Sequence, residues 1–307
     1  MPSNAEFLSV PRQNILLSNL TCFSAMAMWA FAFPIAEVLL ASWGTITLVL
    51  ARQLIAVAAL FACWLWIDGW SKVIGANWRR GISVGGIGFG LGAPLFLVGQ
   101  HLSDAVTPAI AASMMPIVGA VLEVTLDGRR MRPRLLFGIV FALAGGMLAT
   151  GARIDEGNFG WGSLLCLLSV VLFAWGTRAT TNQFRSLSFV GQTTITLAGS
   201  LLIICGLYLL LLLFGLPGTG IELLDTGDTA LLVFSSIASL ALAQFLWIRG
   251  ASGLGILFAS LHMNAVPFYV MVIVVLMLDE SWNWWQAAGA AVVAAGVILA
   301  QSGARRA

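Results

Sequence analysis

The sequence predicts an all-α integral membrane protein in which ten transmembrane helices form two inverted repeats of five. Three observations predict this fold class. Hydrophobic residues make up 60% of the 307 residues and charged residues only 9%, with a mean hydropathy of +0.97, and a soluble core of this size does not bury so much apolar surface. The apolar residues fall in runs of about 20, the length that crosses a bilayer. A long segment also recurs later in the chain at a fixed offset.

The predicted spans are apolar runs separated by short turns that are polar or contain glycine and proline. Runs of this length are too long for barrel strands, and an open sheet is excluded because each unpaired backbone group in lipid costs several kcal/mol. The ten spans cover residues 15–40, 45–67, 81–100, 105–126, 134–152, 159–180, 187–214, 229–248, 254–278 and 284–302.

The repeat relates residues 105–149 to residues 254–300. An offset of 151 residues places Pro116 on Pro267, and each copy reads as a helix with a mid-span proline, a short charged turn and a glycine-spaced helix. Self-similarity at a fixed offset indicates an internal duplication. Because five spans is an odd number, the second half (155–307) must enter the membrane inverted relative to the first (1–154), as in many secondary transporters.

Lysine and arginine set the predicted orientation. With both termini in the cytoplasm, thirteen of these residues lie on the inner side and only Arg153 lies in an outer loop, while Arg52 lies within the second span. We therefore expect both termini on the cytoplasmic side.

Several motifs together resemble the drug/metabolite transporter superfamily with its two EamA-like repeats. They are Trp29-Ala30 and Trp175-Gly176 in the first span of each half, Arg52 in the second span, and the segments that run from Pro116 to Asp127 and from Pro267 to Asp279-Glu280. The first half departs from the family pattern, because Asp127-Gly128 stands where a glutamate is usual.

This resemblance covers nearly the whole chain, and the overall likeness is greatest to bacterial exporters of aromatic amino acids. It implies a multi-pass protein of the bacterial inner membrane. It also implies export of amino acids or related metabolites through a cavity lined by spans one, three, four, six, eight and nine.

The candidate binding residues are aromatic, soft or polar side chains inside the spans. Trp29 and Trp175 can wall a cavity and stack on an aromatic substrate, or simply pack between helices. His262 and Asn264 are costly in lipid and so face a cavity or join helices as polar contacts; about 200° apart around the helix, they face different directions. The predicted substrate-binding residues are Trp29, Phe33, Met114, Met115, Trp175, Gln244, His262, Asn264 and Tyr269.

Four residues are candidate hinges. Pro116 and Pro267 each remove a backbone hydrogen bond, which gives either a fixed kink or a hinge with a free carbonyl. Gly90 and Gly92 lie in a glycine-rich third span, where the pattern is typical of close helix packing or of a helix that bends.

One charged pair is predicted inside the membrane. Glu37 and Arg52 lie in the outer parts of neighbouring spans, and we expect them to form a structural ion pair because a lone charge there is expensive.

The remaining composition limits the function. No carboxylate lies convincingly at the midplane, so a carboxylate proton relay is not supported, and no central cluster of Lys and Arg favours phosphorylated substrates. The four cysteines lie in apolar runs and read as packing residues, not as metal ligands. We expect no metal, no cofactor and no nucleic acid, and a monomer whose partners are the bilayer and a small neutral or aromatic solute.

Three hypotheses follow. The favoured one is a secondary transporter that exports aromatic or neutral amino acids, or similar metabolites, by alternating access. The second is an effluxer of drugs or other metabolites on the same fold. The third is a polytopic membrane enzyme, but the sequence contains no HExxH motif, no GxGD motif and no pair of midplane carboxylates.

Overall fold

The computed structural model describes residues 12–127, 160–223 and 225–301, with isolated positions between 133 and 148. All regular structure in these residues is helical. Eight helices are long and apolar enough to cross a membrane, and we number them α1 to α8: Ile15–Leu40, Thr45–Asp68, Trp78–His101, Val106–Leu126, Trp161–Gln183, Phe189–Leu213, Thr226–Leu254 and Ser260–Leu278.

These eight helices and one further helix at the end of the chain together match nine of the ten predicted spans. That helix, α9, runs over Trp284–Gln301, and a short helix over Trp70–Ile74 links α2 to α3. The predicted fifth span, 134–152, falls mostly outside the described residues. The fold class is therefore all-helical and membrane-spanning, and the count of ten stays a prediction.

Side-chain caps fix where several helices begin. Asp104 accepts hydrogen bonds from the backbone N–H groups of Val106 and Thr107, both at 2.7 Å, at the start of α4. Ser188 and Asp225 accept in the same way at the starts of α6 and α7. The first N–H groups of a helix have no partner inside it, so such caps satisfy donors that the chain would otherwise bury unpaired.

Five of the described spans are interrupted. In α1 the break lies at Phe31, between Arg12–Ala30 and Ala32–Leu40, and the other four interruptions fall in spans that the repeat relates. A π-helical segment lies at Gly86–Gly90 in α3 and another at Ile237–Leu242 in α7, so their first residues are 151 positions apart. The α4 span is broken into Val106–Ser113 and Met115–Asp127. The corresponding span, α8, is built differently in detail.

A short helix over Ile256–Ala259 precedes that span, which begins as a 3₁₀ segment at Ser260–Ala265 and ends as an α-helix over Val266–Leu278. Pro116 and Pro267 are each the second residue of the helical segment after the break. A proline in the first turn of a helix costs no hydrogen bond. The prolines therefore begin a segment and do not kink a continuous helix.

The two halves are packed into each other. Helix α1 packs on α7, α2 on α6, α3 on both α5 and α6, and α4 on α8. A Cβ atom at Gly85 would lie 1.8 Å from the carbonyl oxygen of Thr196, and one at Gly88 would lie 2.6 Å from Cα of Gly176. These contacts show that glycines of α3 allow close approach of helices from the second half.

Candidate functional site

A cavity of about 130 Å³ lies between the two halves and is lined by residues from all eight spans. A volume of roughly 10–15 Å³ suffices for one water molecule, so the cavity is large enough for a small solute. The cavity wall divides into an aromatic part and a polar part. Spans α2 and α6, which the resemblance did not place at the cavity, contribute to its polar part.

Five aromatic rings form a connected group along the aromatic wall. The ring centroids of Trp29 and Phe33 are 5.0 Å apart, and Trp29 stacks on Phe96 at 5.8 Å with an interplanar angle of 22°. Phe96 contacts Phe173 at 5.6 Å, and Phe173 stacks on Phe89 at 6.1 Å. Such a wall offers ring faces and edges to a flat, apolar group.

Contacts between helices hold these rings in place. Gln100 on α3 donates a 2.7 Å hydrogen bond to the carbonyl of Phe33 on α1. Ser169 on α5 donates to the carbonyl of Gly92 on α3 at 2.8 Å. A Cβ atom at Gly92 would lie 2.6 Å from the ring of Phe173. The absence of a side chain at Gly92 therefore makes room for a ring of the aromatic wall.

The polar wall carries hydrogen-bond donors that have no partner. They are Nε of Arg52, Oγ of Ser200, Oγ of Ser239 and Nε2 of Gln244, each buried. The neighbouring Gln53 is satisfied, because its Nε2 donates to the carbonyl of Leu197 at 3.1 Å. Unpaired buried donors are uncommon in native proteins and require an explanation.

The predicted ion pair between Glu37 and Arg52 is not formed in the structure. Glu37 lies near Asp104, Ala105 and Glu280, and its Oε2 is buried without a hydrogen-bond partner. Arg52 faces the cavity instead. The physical reason is the orientation of α2, on which Gln53 is bonded to α6, so the preceding residue points into the space between the halves.

Four of the nine predicted substrate-binding residues line the cavity, namely Trp29, Phe33, Met115 and Gln244. Met114 is buried at the break in α4. Trp175 packs beside the inner cluster that includes Trp64 and Phe184.

The other three lie on α8 away from the cavity wall. Nδ1 of His262 lies 3.0 Å from the carbonyl oxygen of Ala259, Tyr269 meets Phe23 edge-on at 5.9 Å, and Oδ1 of Asn264 is buried without a partner. Of the predicted hinge residues, Gly92 adjoins Phe173, and a Cβ atom at Gly90 would lie 3.1 Å from Cα of Ser200.

Several residues that line the cavity were not predicted from the sequence, although they lie at positions that the repeat relates. Phe89, Ala93 and Phe96 of α3 line the cavity, and so do Leu240, Gln244 and Trp247 of α7, each 151 residues later. Extending the repeat to these spans would have paired Phe96 with Trp247. In α5 the ring that lines the cavity, as Trp29 does in α1, is Phe173 and not Trp175.

Comparison with known proteins identifies the architecture. The sequence model of the EamA-like transporter family matches residues 16–151 and matches again over residues 160–301. A solved crystal structure, whose description names no function, aligns with 94% of this chain and 98% of its own with a TM-score of 0.69 at 20% identity, which shows a shared fold. No curated protein matches the sequence significantly.

Proposed function

Because the chain belongs to the EamA-like transporter family, we propose that it is a secondary transporter that exports aromatic and other neutral amino acids, or similar small metabolites, by alternating access. The observation that carries the proposal is the cavity between the halves, which is lined both by five aromatic rings and by buried donors that have no partner. Such a site suits a solute with an apolar, flat end and a polar end.

The two ends of a zwitterionic amino acid find suitable groups in this cavity. The side chain packs against Trp29, Phe96 and Phe173 on the aromatic wall. The ammonium group lies against the amide oxygens of Gln53 and Gln244 or over a ring face, since aromatic faces attract cations. Met115 adds a flexible, polarisable contact that tolerates side chains of different shape.

The contacts between α2 and α6 define the part of the protein that stays fixed during transport. At the outer end, the N–H of Gly44 donates to the carbonyl of Gly220 at 2.8 Å. Near the inner end, Ser188 donates to Oδ2 of Asp68, which also accepts from Nε1 of Trp64 at 3.0 Å. Because this pair is joined at both ends, we infer that opening to either side moves other helices past it.

The interrupted spans supply candidate points of movement. The breaks before Pro116 and Pro267 and the π segment that includes Gly90 lie on helices that line the cavity. We propose that α4 and α8 bend at these breaks and that Gly90 and Gly92 allow α3 to adjust. His262, Asn264, Tyr269, Met114 and Trp175 then act on the path to the cavity and not at the cavity itself.

The proposal includes location and assembly. We propose a bacterial inner-membrane protein with both termini in the cytoplasm, working as a monomer because a single chain contributes both halves of the cavity. It needs no cofactor, since transport here is a change of access and not a chemical step.

Counterflow in sealed liposomes tests the function. Purified protein is reconstituted, the vesicles are loaded with unlabelled phenylalanine, tryptophan or leucine, and entry of the labelled amino acid is followed. We expect exchange that Phe96→Ala reduces strongly and that Phe258→Ala, a change at a 44% exposed ring away from the cavity, leaves unchanged. No exchange of any amino acid by the unaltered protein would refute the proposal.

The same vesicles separate the proposal from a drug effluxer. Inhibition of exchange by hydrophobic cations but not by amino acids would favour drug efflux. The absence of Asp and Glu from the residues that line the cavity argues against such cations as substrates, because no lining group carries the opposite charge.

A further inference from the structure

Among the described residues that line the cavity, Arg52 is the single charged side chain. Its Nε is buried without a hydrogen-bond partner, and no described carboxylate forms an ion pair with it. A guanidinium stays protonated in proteins, so the charge cannot be removed by loss of a proton. A buried cation of this kind is costly unless an anion or a polar partner meets it.

Three further unpaired donors converge on the same wall. Gln53 is bonded to the carbonyl of Leu197, and Ser200, one helical turn beyond Leu197, lines the same cavity as Arg52. Ser239 lies in the π segment of α7 and Gln244 follows five residues later, the spacing that a π turn places on one face. The side chains of Ser200 and Ser239 are fully buried.

From this arrangement we propose that Arg52, Ser200, Ser239 and Gln244 form a subsite for the carboxylate group of the transported solute, an inference that rests on the proposed function and assigns the polar end of its substrate. An ionised carboxylate only accepts hydrogen bonds and has about four acceptor positions. Arginine meets it with two parallel N–H donors, and the two hydroxyls and the amide supply the remaining ones.

The charge of the subsite also determines which charged group of the solute is dispensable. The lining residues that the structure describes include one positive charge and no negative charge, so the carboxylate has a counter-charge among them and an ammonium group has none. Aromatic carboxylic acids without an amino group therefore bind as well as the amino acids do. Aromatic amines without a carboxylate are rejected.

Three probes that share one ring test this directly. Phenylalanine carries both charged groups, 3-phenylpropionate only the carboxylate and phenethylamine only the ammonium. Each is added to the purified full-length protein in detergent, where binding to the native state raises the melting temperature, and each is used to compete with labelled phenylalanine in liposomes. We expect 3-phenylpropionate to stabilise and compete, and phenethylamine to do neither.

Variants assign the effect to Arg52. Arg52→Gln lowers the affinity for phenylalanine and 3-phenylpropionate about ten- to a hundredfold, because a hydrogen bond to a charged group is lost in a buried site, and Arg52→Lys falls between. The neutral ring compound 2-phenylethanol binds Arg52→Gln and the unaltered protein equally. Lys72→Gln removes an exposed positive charge outside the spans and changes nothing.

Two results would overturn the subsite. One is phenethylamine that competes as well as 3-phenylpropionate, which needs no variant and so holds even if Arg52→Gln fails to fold. The other is an Arg52→Gln protein, or a Ser200→Ala protein, that binds all ring compounds less tightly by the same factor. Failure of the proposed function is distinct, because 3-phenylpropionate would then stabilise the protein while no amino acid crosses the membrane.

Discussion

The two halves of the molecule supply the cavity from matching positions but with different chemistry. Five examples, each drawn from one pair of corresponding spans, are Trp29 and Phe173, Phe33 and Thr177, Arg52 and Ser200, Ala93 and Gln244, and Phe96 and Trp247. Their separations along the chain are 144, 144, 148, 151 and 151 residues. Two of the five pairs keep an aromatic ring in both halves, whereas the other three differ in polarity or charge.

This difference separates what the fold requires from what the solute requires. The duplicated helices, with their π segments at Gly86–Gly90 and Ile237–Leu242, place the same positions around the cavity in both halves. The side chains at those positions differ between the halves, because they face the cavity and the close backbone packing of the helices does not depend on them alone. An asymmetric lining gives an amphipathic solute one preferred orientation between two related walls.

The largest effect is expected where the halves touch most closely. Gly85→Ala places a methyl group where the backbone oxygen of Thr196 would be 1.8 Å away, and a backbone atom of a packed helix does not move aside cheaply. We expect a loss of at least about 3 kcal/mol, the upper range for overpacking, seen as poor accumulation or a fall of about 5 °C or more in the melting temperature in detergent.

Gly206→Ala is the matched control for this change. Gly206 also lies within a span, but a Cβ atom there would have no other atom within 4 Å. Equal losses for the two variants would mean that the close packing of α3 on α6 is not what holds the halves together.

The second prediction concerns which ring of α5 corresponds to Trp29. Phe173→Ala opens the aromatic wall between Phe89 and Phe96, and we expect the affinity for phenylalanine in counterflow to fall about tenfold, the equivalent of about 1.4 kcal/mol of lost ring contact. Trp175 packs beside the cluster that includes Trp64 and Phe184, so Trp175→Ala is expected to lower stability with little change in affinity. The reverse order would restore Trp175 as the binding residue.

The case of Trp175 also shows how far the sequence reaches. The apolar runs predict the spans because lipid imposes their length, and the fixed offset predicts matching interruptions because duplication copies them. Neither signal tells which face of a helix meets the cavity. A shift of two residues turns a helical position by about 200°, which separates Trp175 from Phe173.

Arg52 teaches the same lesson for charge. Because a buried charge is costly, the sequence predicts that Arg52 needs a partner, and Glu37 is the nearest acid in the neighbouring span. The choice of partner depends on the rotation of α2, which the hydrogen bond from Gln53 to Leu197 fixes. That contact joins residues 144 positions apart, so no local pattern contains it.

A third and smaller effect is expected at the starts of α4 and α8, which also correspond. Asp104 caps α4 by accepting hydrogen bonds from two backbone N–H groups. At the corresponding position 151 residues later stands Gly255, whose φ is 78° and which precedes the short helix Ile256–Ala259 that leads into α8. Asp104→Ala is expected to cost about 1 kcal/mol, the usual value of a helix cap. Melting in detergent measures it.

The control for the cap is another outer acid. Asp228 lies in the first turn of α7, partly exposed, and its own N–H is capped by Asp225. Asp228→Ala should therefore lower the melting temperature less than Asp104→Ala. If the two variants melted together, the carboxylate of Asp104 would have no capping role, and its weak contact with Gln286 at 3.4 Å would be equally dispensable.

The smallest effect is expected at Phe96 and Trp247, one of the two pairs in which both halves keep a ring. Nε1 of Trp247 donates to Oγ1 of Thr177 at 3.2 Å, a contact within the second half, while its counterpart Phe96 has no polar atom to offer. Trp247→Phe keeps a ring at the cavity and removes that hydrogen bond, which is worth about 1 kcal/mol. We expect a small fall in stability and a change of less than about threefold in the affinity for phenylalanine, because the solute meets the ring and not the indole nitrogen. A tenfold loss of affinity would show that the indole N–H of Trp247 binds the solute. The second half would then contribute a polar contact from the aromatic wall.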